Sequence, residues 1–298
     1  MYSEKLEEVI SAALADGNLT EQKRKIIMRR AEKEGEDVEE VMMVVESRLL
    51  NQTKVQSNQS QSKPETKNEE VTKGDFVEIV NGVSFKMIKV EGGKFTMFSK
   101  SQNACIPAQS QEVELDDYYI CETVVTQELW KAVMGCNFPN LSFIGDKLPV
   151  NNLTWEESYY FINKLNAFTN KNYHLPSEAQ WEYAAIGGKK SLGFIHAGSN
   201  DIKIVGWTNV NEMKPVAQLM PNELGLYDMS GNCYEFCEDN MIENPILSGT
   251  KNPIIRTKPT DFRIIRSTPF DSPALNVGDR FWCPYDLGRE GFSFRIAL

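Results

Sequence analysis

A chain of 298 residues, 41% apolar and 25% charged, has room for one large domain and a small companion. Its formal net charge of −10 argues against a nucleic-acid backbone as partner, because phosphate binding needs a basic surface. No apolar run reaches the ~18 residues of a membrane span, and the cysteines (Cys105, Cys121, Cys136, Cys233, Cys237, Cys283) lack the paired spacing of a zinc site.

Met1 to Ile10 has neither a basic n-region nor an apolar h-region, so no signal peptide is read. The cytoplasm is the expected compartment, with virion or surface display left open. Leu6, Val9, Ile10, Ala13 and Leu14 recur at helical spacing. Asp16-Gly17-Asn18 marks a turn, and a new helix capped near Asn18 or Thr20 carries Ile26, Ile27 and Ala31 inward. After Gly35 a third stripe follows: Val38, Val41, Met42, Val45 and Leu49. Residues 1–50 are therefore expected to form a helical interaction module, with an unknown partner or self-association as its role. The run Ala13 to Thr20 between two such helices resembles the helical tellurite-resistance TerB-like modules. Residues 51–74, almost all Gln, Ser, Asn, Lys and Glu, cannot bury enough surface to offset their ordering entropy and read as a flexible linker.

The second domain is expected over 75–298. Phe76 to Val80 and Val83 to Val90 alternate at strand period around an Asn81-Gly82 hairpin turn. A turn and strand follow over Glu91 to Met97, and a strand over Val113 to Ile120. Thr126 caps a helix to Met134 with Leu129, Trp130 and Val133 on one face. Thr154 and Glu157 form a capping box for a helix that turns Tyr160, Phe161, Leu165 and Phe168 inward. Ser177 caps a third, and beyond Gly187-Gly188 the chain is rich in turn residues and reads as loop-dominated.

Pro221 to Asp239 sets Asp228, Asn232 and Glu235 within eight residues around Gly231. Carboxylate and amide oxygens with inward carbonyls suit a hard cation such as calcium; the same residues also suit a turn with solvated acids.

Asn81 to Met87, Tyr119 to Thr126, Leu175 to Ala185 and Asn222 to Asn232 run in an order that resembles the formylglycine-generating enzyme (sulfatase-modifying factor) domain. The resemblance implies an α+β, C-type-lectin-like fold. It also implies a calcium site built from the side chains of Asp228 and Glu235 and the carbonyls of Gly231 and Cys233. A second family calcium site would lie around Ser199 to Ile202 and Trp207 to Asn209, without assignable ligands. The family's oxidase chemistry needs a cysteine pair that can hold copper(I) and engage a substrate thiol. Those positions fall on Ser272 and about Val277 here, so no copper is expected. Arg295, in the closing strand, is a candidate buried partner for a carboxylate.

Aromatic and polar residues alternate from Asp271 to Glu290, a composition suited to binding. The expected ligand-binding set is Asp271, Ser272, Asn276, Phe281, Trp282, Tyr285, Asp286, Arg289 and Glu290, facing a protein or a glycan. The position of this segment resembles that of the diversified residues in variable proteins of diversity-generating retroelements. The leading expectation is a non-catalytic ligand-binding protein. The alternatives are a family enzyme acting on peptides without the copper cysteines, and a regulatory subunit recruited through residues 1–50.

Overall fold

The computed structural model describes residues 3–14, 19, 21–38, 41–42, 44–45, 48, 74–98, 109–138, 140–242, 245, 247–256 and 261–298. The Asp16-Gly17-Asn18 turn, the Thr20 cap, Leu49, residues 51–73 and Cys105 lie outside them. Two compact units divide the chain, Met1–Val71 and Thr72–Leu298.

In the first unit, helices α1 (Glu4–Leu14) and α2 (Glu21–Glu34) bury Leu6, Ile10, Ala13 and Leu14 against Ile27 and Ala31, with Val41 and Val45 completing the core. Ile26 departs from its expected place and is 54% exposed. Ile27 and Ala31, four apart, hold the inward stripe, and a neighbour one position back is rotated about 100° away from it. Arg48 donates to Glu7 of the first helix at 2.8 Å.

Among the described residues, the second unit carries three small sheets. Strands β1 (Phe76–Val80), β2 (Val83–Val90) and β5 (Tyr118–Cys121) form one, in the order β1-β2-β5. Strands β3 (Gly93–Met97), β4 (Gln111–Leu115) and β7 (Thr250–Lys251) form the second. The third runs β10-β6-β8-β9, from β6 (Tyr234–Asn240), β8 (Phe262–Ser267), β9 (Phe281–Pro284) and β10 (Phe292–Phe294). The strand predicted over Val113 to Ile120 is thus two strands from different sheets, broken at Asp116-Asp117, two acids that take exposed ion pairs.

The helices follow their caps. Thr126 Oγ1 accepts the Leu129 N–H at the start of α3 (Gln127–Met134). Thr154 with Glu157 and Ser177 with Gln180 make reciprocal boxes at α4 (Trp155–Thr169) and α5 (Glu178–Ala185). Asp201 caps a short α6 (Ile202–Val205). On α4, Phe161 and Leu165 are buried as expected, while Phe168, on the same stripe but in the helix's last turn, is 51% exposed.

Side chains alternate across the third sheet, which separates two cores. Phe236, Ile265, Phe292 and Phe294 pack with α3 and α4 residues on one side; Ile264 and Cys237 pack with Trp181, Tyr183 and strands β2 to β4 on the other. Among the described residues no helix is long and apolar enough to cross a membrane.

Candidate functional site

Strand β6 continues directly from the acidic stretch, and its register decides what the acids do. Glu235 pairs with Ser293 of β10 on one side and with Arg266 of β8 on the other, at the sheet's centre. Its carboxylate is fully buried and accepts two bonds from Arg295: Nε to Oε2 at 2.8 Å and Nη2 to Oε1 at 2.9 Å. Trp181 Nε1 adds a third, to Oε2 at 2.7 Å. The remaining Arg295 donors reach the carbonyls of Cys121, Glu122 and Tyr227 at 2.9, 3.2 and 2.9 Å. The expectation of a carboxylate partner for Arg295 is met, and Glu235 takes on a counter-ion role that the calcium reading did not include.

Asp228 lies close by, with φ of 58° and 3% exposure. It accepts the Ala217 N–H at 2.9 Å. Burial pushes its acid up to about 6, opposed by that hydrogen bond and by Arg295, and reinforced by Glu235. The Gly231 carbonyl already accepts the Cys233 N–H at 2.8 Å. Two carboxylates around one guanidinium leave a residual negative charge, and the donors are hard oxygens of the kind calcium takes. Among the described residues no group of three or more His, Cys, Asp or Glu converges. A cation here would rest on Asp228, the open capacity of Glu235 and backbone carbonyls.

Asn232 turns the same stretch into a brace. Its Oδ1 accepts the Lys214 N–H at 3.0 Å and its Nδ2 donates to the Lys214 carbonyl at 2.9 Å. Its own N–H donates to Trp207 O at 2.9 Å, and its carbonyl accepts the Phe270 N–H at 3.1 Å. Gly231 permits this closeness: its φ is +117°, and an added Cβ would fall 2.7 Å from the Trp207 nitrogen.

The segment from Thr268 to Asp279 is clamped from both ends onto one carboxylate. Arg266, before it, donates Nη1 to Glu178 Oε1 at 3.0 Å and Nη2 to Glu182 Oε2 at 2.9 Å. Arg280, after it, grips Glu178 in a fork, Nε to Oε1 at 2.8 Å and Nη2 to Oε2 at 2.7 Å. Glu178 opens helix α5, where the helix dipole also favours a negative charge. All four side chains are buried. Asp239 stands beside them without a guanidinium; its oxygens accept the N–H groups of Glu178 at 2.7 Å and Ile255 at 2.8 Å. Burial and the neighbouring Glu178 charge push its acid up to about 7.

The nine expected ligand-binding residues do not make one continuous face. Asp271 and Glu290, both exposed, come together at an open cleft of about 460 Å³ with Phe143, Asn209, Val210, Asn211 and Phe270. Ser272 donates Oγ to Asp271 Oδ1 at 3.2 Å, and Asn276 donates its N–H to buried Asp279 at 2.9 Å. Phe281 and Trp282 are neighbours on β9 and point to opposite sides of the sheet. Phe281 turns to the core beside Tyr234, ring centroids 5.7 Å apart, which corrects its expected place on the binding surface. Trp282 is 41% exposed and meets Phe262 edge to face at 4.5 Å. Tyr285 is half-buried, its carbonyl accepting the Trp155 N–H; Asp286 and Arg289 are exposed.

The sequence reading did not place Phe143, Asn209, Val210 and Asn211 at a binding surface; they come from two loops, and Asn209 had entered only through the resemblance's second calcium position. Backbone bonds from Asn209 to Ser272 O and from Val210 to Phe270 O bring them to the cleft. Cys121, Cys233, Cys237 and Cys283 are buried and unpaired, with thiols pushed up by burial, Cys121 to about 11 and Cys283 to about 12. Of the residues at the family's second calcium position, Ser199 accepts the Asp201 N–H and Asp201 caps α6.

Comparison with known proteins agrees with this fold. A chaperone protein, LppX, from Paenibacillus barcinonensis is 35% identical over 208 residues, spanning 52% of this chain and 71% of that protein. The formylglycine-generating enzyme of Mus musculus is 24% identical, and the match spans 62% of this chain and about half (51%) of the enzyme. The solved structure of Treponema denticola variable protein 1 aligns with a TM-score of 0.64 at 26% identity, covering 75% of this chain and 98% of that one. The family model of the sulfatase-modifying factor enzyme 1-like domain matches residues 78–267. The chain belongs to the sulfatase-modifying factor enzyme 1-like domain family.

Proposed function

We propose that this protein is a non-catalytic member of its family that binds a ligand on the surface from Asp271 to Glu290. The observation that carries the reading is the double clamp of Arg266 and Arg280 on Glu178. It fixes the ends of a loop whose middle, around Asp271, faces solvent, which is what a display surface on a rigid base requires. Ser272 and Val277 stand where the family resemblance puts the oxidase cysteines, and neither can hold a soft metal. Cys283, further along, is buried with its thiol raised, so it does not offer the thiolate that chemistry needs. The likeness to a protein named variable protein 1 supports the same reading, and retroelement diversification of this segment is part of the proposal. A template copy of the segment in the neighbouring DNA would support that part.

A calcium ion near Asp228 belongs to the same proposal, as a stiffener beneath Asn232 and Phe270. Its residues would be Asp228, Glu235 and the carbonyls of Gly231 and Cys233.

The test is selection of a displayed peptide library, alongside a glycan array, on the wild type and on Trp282→Ala and Asp271→Ala. Asp271→Ala, at an exposed position, stays within about 1 °C of wild type in melting temperature, whereas Trp282→Ala also loses the edge-to-face contact with Phe262 and falls by a few degrees. Ligands that lose one or both variants support the reading. Ligands indifferent to every change between Asp271 and Glu290 overturn it.

A further inference from the structure

Seven residues line the cleft beside Phe270: three apolar (Phe143, Val210, Phe270), two amides (Asn209, Asn211) and two carboxylates (Asp271, Glu290). No arginine or lysine lines it. Neither Asp271 nor Glu290 has a salt bridge among the described residues; the hydrogen bond recorded at Asp271 comes from the neutral Ser272 hydroxyl. Lys214, a nearby cation, is engaged with Glu212. The lining therefore carries two negative charges and no positive one.

The apolar part is built rather than incidental. Phe143 and Phe270 meet edge to face, 5.4 Å between centroids and 90° between planes. They continue into a small separate core of Val124, Met213, Cys233 and Phe270, with Val210 and Val216 packed on it. Backbone bonds from Asn209 to Ser272 O at 3.1 Å and Val210 to Phe270 O at 2.9 Å hold the two walls in register. Gln127 pins the Phe143 loop, donating to Phe143 O at 2.8 Å and accepting from the Gly145 N–H at 2.9 Å.

Apolar walls with aromatic rings beneath a rim of two carboxylates match a side chain with a long apolar stem and a cationic head. Resting on the display reading above, we infer that this cleft is the subsite for an arginine or lysine side chain of a protein partner. Neutral and acidic glycans carry no such group and would leave both carboxylates unpaired against the bound ligand. The two amides can orient the partner's backbone or the cationic head by hydrogen bonds.

Binding of N-acetyl-arginine amide and N-acetyl-lysine amide to the full chain, followed by NMR titration, tests this against their neutral counterparts, the citrulline and norleucine amides. The cationic pair is expected to bind about fivefold or more tightly than the neutral pair, with the difference shrinking at high salt. Asp271→Asn with Glu290→Gln removes both charges at exposed positions and is expected to erase the preference without changing the melting temperature. Equal binding of charged and neutral amides, or a preference that survives the double variant, overturns the inference. Display-selected peptides that map to this surface but lack arginine and lysine also overturn it, while leaving the display reading standing.

Discussion

Glu235 and Arg295 form a fully buried, two-point ion pair at the centre of the third sheet. Arg295 comes from the chain's last residues and Glu235 from the acidic stretch, so the pair stitches the C-terminal end to the stretch that braces the cleft. Removing one partner from such a pair leaves an uncompensated buried charge, at a cost of about 3–5 kcal/mol. Arg295→Met should therefore lower the stability of the second unit by that order, read from urea unfolding. Arg295→Lys should recover little of it, because one ammonium cannot replace donors that reach Glu235, Cys121, Glu122 and Tyr227. A loss under about 1 kcal/mol for Arg295→Met would show that the pair is not what holds this junction.

The calcium proposal is best tested at Asp228, since replacing Glu235 destabilises the fold whether or not a cation binds. With its acid raised to about 6, Asp228 is mainly protonated at pH 5 and ionised at pH 8. Calcium needs the ionised form, so chelation should lower the melting temperature at pH 8 and have little effect at pH 5. In Asp228→Asn the chelator should make no difference at either pH. Identical wild-type melting curves with and without chelator at pH 8 would remove the cation from the account.

Asp239 gives a pH dependence of defined sign. Its folded acid lies at about 7, above the ordinary value of about 3.9 in an unfolded chain. Between those values the folded state holds a proton that the unfolded state has released. Its contribution is fully present below about pH 4 and is lost as pH rises through about 7. Melting temperature should thus fall between pH 5 and pH 8, by a few degrees at the ~2–4 °C per kcal/mol of a domain this size. Asp239→Asn, which keeps an acceptor but cannot ionise, should flatten that slope. A slope unchanged in the variant would assign the effect to other groups.

Much of this architecture was legible because short-range rules fixed it. Thr126, Thr154 and Ser177 cap their helices as expected, since a cap needs only its own first turn. The Asn81-Gly82 hairpin is equally local: Val80 and Val83 pair directly across it. The misreadings are tertiary. Phe281 and Trp282 look alike in a list of aromatics, but strand alternation sends one to the core and the other outward. Glu178 carried no reading of its own in the sequence, and nothing local says that Arg266 and Arg280 will both arrive on it. Nothing local in the Pro221 to Asp239 stretch announces Arg295, the guanidinium partner of Glu235 sixty residues further on. The cleft was half visible: Asp271 and Glu290 were expected in the binding set, while Phe143, Asn209 and Asn211 reach it only through loop packing.

Asn232 offers the most direct test that the brace serves the cleft. Its side chain satisfies both backbone groups of Lys214, and its own backbone receives Phe270 and reaches Trp207. It also holds a left-handed φ of 66°, which asparagine tolerates better than alanine. Asn232→Ala should cost about 1–3 kcal/mol from the unmet Lys214 groups, with the backbone strain adding to it. The loss should be local. Amide hydrogen exchange is expected to quicken at Lys214, Val210 and Phe270, while the β1–β2 hairpin, which shares no bond with Asn232, keeps its wild-type protection. Peptides selected on the wild-type cleft should weaken in parallel, because Phe270 is both a floor residue and a residue that Asn232 holds. If protection falls evenly across both regions, Asn232 supports the whole unit; if it falls nowhere, the brace beneath the cleft rests on other contacts.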